Sequence, residues 1–122
     1  MQNKIQRFGP VALTVSLDAN IIHPADSGAN GVGYTASAAY IILRHIRILN
    51  KSAAAASFSL YIGATGANAA GTEFMGILTP IAAYSCIDWY GQIKLTNSDY
   101  LVGGASANSA LTLTAEGEVG LA

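Results

Sequence analysis

Ser57-Phe58-Ser59-Leu60-Tyr61-Ile62 sets three large apolar side chains, Phe58, Leu60 and Ile62, at every second residue, with Ser57, Ser59 and Tyr61 between them. Successive side chains of an extended chain point to opposite faces, so this period of two describes a strand with one face in a core. The pattern recurs on both sides of it. Residues 11–17 set Val11, Leu13, Val15 and Leu17 against Ala12, Thr14 and Ser16, and residues 109–115 set Leu111 and Leu113 against Thr112 and Thr114.

Residues 40–50 carry apolar groups on both alternating faces, with Ile42, Ile46 and Ile48 on one and Ile41, Leu43 and Leu49 on the other. So many β-branched residues argue for a central strand covered twice rather than a helix. Residues 84–95 put Ile87, Trp89, Ile93 and Leu95 on an inward face, leaving Asp88 outward and Gly91 at a bulge or bend. Shorter strands are expected at 20–23, 72–79 and 99–104. Turn-rich stretches, Pro24 to Gly33, Gly63 to Gly71 and Asn97-Ser98-Asp99, separate them. Residues 52–56 are too short for an independent helix and read as a hairpin connection. The expected fold is all-β, an antiparallel sandwich of about seven to eight strands, jelly-roll-like or immunoglobulin-like. Residues 11–122 form its single domain, and residues 1–10, ending in Phe8-Gly9-Pro10, form an N-terminal arm, the alternative being a first strand that completes the domain's own sheet.

Only 11% of the 122 residues are charged, against about 25% in typical soluble domains, and 22 alanines inflate the apolar share of 52%. Such an exterior is either a monomer surface of small and polar residues or one partly covered by other subunits, since a weakly charged exterior favours association. The net charge of −1 supplies no field for phosphate, so nucleic acid is not an expected partner. No apolar run reaches the length of a spanning helix, so no membrane partner is expected. Met1-Gln2-Asn3-Lys4 leads into no hydrophobic signal segment, so Sec export is not expected either. The single cysteine, Cys86, excludes an internal disulfide and reads as a small core residue.

Gly63 to Gly71 follows a strand as a phosphate-binding loop would, but no amphipathic helix follows it. His23 and His45 stand far apart with no short-spaced ligand cluster, so neither a metal nor a cofactor is expected. Glu116 and Glu118 share one face of a terminal strand, an arrangement more typical of a soluble edge than of an acid–base pair. Asn50-Lys51-Ser52 fits a glycosylation acceptor only by pattern. No catalytic constellation emerges, and an enzyme is not expected. Binding is the better reading of the six tyrosines, since tyrosine offers wide contact area with few rotatable bonds. Tyr61 and Tyr90 fall opposite their strands' apolar sets and are expected interface contacts, the alternative being that they pack against neighbouring strands. The arm supplies four more, Lys4, Ile5, Arg7 and Phe8, in a segment suited to ordering on a neighbouring subunit.

The series Ile46 to Asn50, Ser57 to Gly63, Asp88-Trp89-Tyr90-Gly91, Asp99 to Ser106 and Leu111 to Gly117 resembles a group of small tailed-bacteriophage virion proteins over residues 34–120. The resemblance implies a β-sandwich building block of the virion, assembled from protein made in the host cytoplasm. Its leading form is a head decoration (cement) protein that binds the major capsid protein and associates as a homo-oligomer, a trimer by expectation. A neck, tail or fibre module is the alternative. A carbohydrate-binding module with an exposed Trp or Tyr is the reading from a different class.

Overall fold

Eight strands make up the computed structural model, which describes residues 4–24, 38–63 and 68–121. They are β1 (Lys4–Ala12), β2 (Asn20–Ile22), β3 (Ala38–Asn50), β4 (Ala56–Gly63), β5 (Glu73–Ile81), β6 (Cys86–Thr96), β7 (Tyr100–Ala105) and β8 (Leu111–Leu121). One antiparallel sheet runs β1-β8-β3-β6 and the other β2-β7-β4-β5. The pairs β1·β8, β2·β7, β3·β6 and β4·β5 are those of one long hairpin bent at β4–β5, rolled up and closed through β3·β8 and β4·β7. That wiring is a jelly roll, the first of the two sandwich types expected.

The core lies between the sheets. Ile41, Leu43, Ile46 and Ile48 of β3 and Leu111, Leu113 and Val119 of β8 face Phe58 and Leu60 of β4 and Leu101 of β7. Leu95 of β6 joins them, while Ile87, Trp89 and Ile93 pack partly buried against the cluster, so the inward face expected for β6 is present.

Four expectations are corrected. Residues 52–56 do not close a hairpin, because β3 and β4 belong to different sheets and residues 51–55 carry the chain between them. Residues 1–10 are not a separate arm in their described part: residues 4–12 form β1, paired along β8 from Lys4 with Val119 to Ala12 with Thr112. Of the strand expected at 11–17, only Val11 and Ala12 are extended in a ladder, and residues 13–19 cross between the sheets. Leu13 N–H bonds to Leu111 O at 2.9 Å in one sheet, while Ala105 N–H in the other bonds to Thr14 O at 2.8 Å.

The fourth concerns β3, which is not covered on both faces. Between Leu43 and Ile46 it takes three steps where β8 takes two, from Gly117 to Ala115. This extra residue at Arg44–His45 resets the alternation, so Ile41, Leu43, Ile46 and Ile48 all turn inward. Across from the irregularity, a methyl group on Gly117 would run into the Ile42 carbonyl and the Leu43 backbone. Neither atom can swing aside. Gly117→Ala is therefore expected to cost about 2–3 kcal/mol as overpacking, read as a lowered midpoint in denaturant. An unchanged midpoint would show that β3 and β8 have slack at this point.

Candidate interaction surface

The outer face of the β1-β8-β3-β6 sheet gathers Arg7, Arg44, Arg47, Lys94, Asp88, Glu116 and Glu118, more than half of the chain's charged residues. Strand parity explains the gathering, since each alternates with a core residue on its own strand. Cross-strand register then pairs them. Arg7 lies opposite Glu116 in the β1·β8 ladder, and Arg47 lies opposite Asp88 in the β3·β6 ladder.

Toward the β6 side of this face Asp88 bridges two donors. Its Oδ1 meets Arg47 Nε and His45 Nε2, each at 2.7 Å, and its Oδ2 meets Arg47 Nη2 at 3.4 Å. The hydrogen bond from Arg47, and after it the one from His45, holds the Asp88 carboxyl below its ordinary range, and Asp88 in turn raises the Arg47 guanidinium. The His45 ring lies parallel to Tyr90, centroids 4.6 Å apart, and Tyr90 is 71% exposed. Arg44 Nη2 binds Glu118 Oε2 at 2.9 Å, and Lys94 Nζ stands 5.1 Å from the centre of the Tyr40 ring. The result is an aromatic surface framed by fixed charges of both signs. Ile5 and Leu49 add exposed apolar area to the same face.

The depressed Asp88 carboxyl stabilises the fold above the unfolded-state carboxylate range, and that contribution is lost as pH falls through its folded value. A carboxyl-carbon NMR titration is expected to place Asp88 below an ordinary aspartate, and Arg47→Ala to move it upward. An ordinary midpoint in the unaltered chain would mean that the Arg47 bridge is not formed in solution.

Of the residues expected at an interface, Tyr90 and Arg7 are exposed on this face and Ile5 beside them. Lys4 is the first residue of β1. Phe8 is corrected: it is 1% exposed and belongs to the core, because β1 turns it inward beside Ala115. Tyr61 is corrected as well. It does lie outside the core cluster, opposite Phe58 and Leu60, but at 8% exposure beside Val102 it is no surface contact. Cys86 is exposed, not a core residue, since the inward Ile87 forces its neighbour outward.

The other candidates have structural work. His23 is buried, donating from Nδ1 to Asp99 O at 2.7 Å and stacking on Tyr100. Trp89 lies on the inner face, edge-on to Phe74 with centroids 5.2 Å apart. Residues 25–33 and 64–67, within the two glycine-rich stretches, lie outside the described residues. The end of the second stretch returns Thr72 O to Ile62 N–H at 2.8 Å, closing the β4–β5 hairpin. A cavity of about 200 Å³ lies at the 13–19 crossing, lined by Val11, Leu13, Ile21 and Gly103 among others, none of them in the Asp88 cluster. Among the described residues no three His, Cys, Asp or Glu side chains converge as metal ligands would. Sequence reading missed Asn50, whose buried amide anchors a corner, and the Arg47–Asp88–His45 bridge; only the i, i+2 charges on β3 hinted at the latter. The chain matches no protein-family model, and a search of curated proteins returns no similar sequence.

Proposed function

We propose that this chain is a structural protein of a tailed-bacteriophage virion, a decoration (cement) protein whose jelly roll binds the major capsid lattice and resists its expansion. The observation that carries the reading is the outer face of the β1-β8-β3-β6 sheet, where exposed Tyr90, Ile5 and Leu49 sit among paired charges on a chain otherwise poor in charge. Aromatic and arginine side chains on a rigid sheet are the composition of binding surfaces. Many copies on a repeating lattice give avidity beyond the strength of any one contact. On the second sheet, Ile77 and Leu78 stand exposed where β5 departs from β4 between Met75 and Thr79, offering a further apolar contact.

The test is binding of the purified chain to phage heads assembled without it. Hundreds of copies per head support decoration, a few to a few dozen support the neck, tail or fibre alternative, and no binding removes the decoration reading. The exposed Tyr90 ring, with hydrogen-bonding groups at Asp88 and Arg47, also favours a second reading as a carbohydrate-binding surface. Glycan retention that is lost in Tyr90→Ala without a change in stability would support it.

A further inference from the structure

We propose that β6 is an association edge, through which two copies of this chain join into one continuous antiparallel sheet about a two-fold axis at Gly91. Among the described residues β6 is the last strand of its sheet, and it is eleven residues long. Exposed edges of this length offer unpaired backbone groups to another strand, and proteins blunt them with short strands, proline, bulges or charged side chains. The charges of β6, Asp88 and Lys94, are of opposite sign and can answer each other across a pair of copies. The opposite edge, β1, carries Pro10, whereas β6 has no proline.

The sequence of β6 is self-complementary about Gly91. Antiparallel pairing with a second copy sets Asp88 opposite its Lys94, Ile87 opposite its Leu95, Trp89 opposite its Ile93 and Tyr90 opposite its Gln92. The two-fold axis repeats each pair, so both charged positions meet opposite charges and all four apolar positions meet apolar partners. Such pairing requires the two halves of β6 to keep the same faces, because a one-residue slip would invert one of them. They do: Ile87, Trp89, Ile93 and Leu95 are inward on either side of Gly91, despite the register shift against β3 between Leu43 and His45. Burial gives an independent argument. Ile48, Ile46 and Leu43 of β3 are fully buried, while Ile87, Trp89 and Ile93, which pair with them on β6, are only partly so. A strand beside β6 covers that open side of the core.

This pairing does not depend on the virion reading, and it is two-fold where the decoration reading expects a trimer. Sedimentation equilibrium of the full chain is expected to show a dimer. Lys94→Asp and Asp88→Lys each turn both charge pairs into like pairs and are expected to weaken the homodimer by roughly tenfold. An equimolar mixture of the two variants restores opposite charges at both pairs and is expected to recover dimerisation. Asp88→Lys also deprives Arg47 of its partner, so a cross-linking variant that leaves both charges in place gives a second test. Thr96→Cys supplies one: it lies opposite Cys86 of the second copy, within the separation a disulfide spans. Mild oxidation is expected to yield a covalent dimer of Thr96→Cys and none of Cys86→Ser/Thr96→Cys. A monomer or trimer in sedimentation, or a dimer that Thr96→Cys does not cross-link, would overturn the proposal.

Discussion

Phe8→Ala is expected to destabilise the domain by about 3–5 kcal/mol, the range for truncating a fully buried aromatic side chain. Phe8 is among the largest buried side chains and stands in β1 beside Ala115 of β8, so its loss opens a cavity at the start of the core. Removing residues 1–8 goes further, because it also unpairs β8 along Ala115 to Val119. The shortened chain is expected to lose its cooperative unfolding transition. Urea denaturation followed by Trp89 fluorescence reads both. A shortened chain that melts as the full one does would instead make these residues an accessory arm.

Asn50→Ala is expected to cost about 3 kcal/mol. The Asn50 side chain is wholly buried and makes four hydrogen bonds. Nδ2 donates to Ala54 O at 2.9 Å and Ile81 O at 3.0 Å, while Oδ1 accepts from Ser52 N–H at 2.9 Å and Ser52 Oγ at 2.7 Å. The amide thereby ties the β3–β4 corner to the end of β5. Truncation leaves buried backbone groups without partners, at about 1–3 kcal/mol for each that water cannot reach. Asn50→Asp tests the mechanism separately. A carboxylate still accepts from Ser52 but repels the Ala54 and Ile81 carbonyls, which raises its folded pKa above the unfolded value. The variant is then most stable below the unfolded carboxylate range and loses that stability as pH rises. A pH-independent Asn50→Asp variant would contradict this account of the corner. With both amide hydrogens engaged, Asn50 is also no glycosylation acceptor in the folded chain.

Side-chain alternation was readable wherever a strand has one face on the core and one toward solvent. Phe58, Leu60 and Ile62 on β4, Leu111 and Leu113 on β8, and the inward set on β6 follow from it directly. Alternation reports which way a side chain points, not which strand its backbone joins, and so it carried straight through residues 11–17. There the chain changes sheets at Leu13 and Thr14 without any break in pattern. β3 was misread for a different reason: its extra residue falls at Arg44–His45, with no glycine or proline to mark it. The outward position of Tyr90 followed from the inward Trp89, and the same parity, applied to Ile87, would have put Cys86 outside. Arg47, Asp88 and His45 meet only through the register of β3 on β6, which local sequence does not encode.

The most direct test of the virion reading is a cryo-electron reconstruction of phage particles carrying this chain. The account expects eight-stranded jelly rolls repeated over the outer head lattice, with the Tyr90 face of the β1-β8-β3-β6 sheet or the Ile77–Leu78 edge against the capsid. Particles whose heads and tails contain no such density, from cells in which the chain is made, would contradict it.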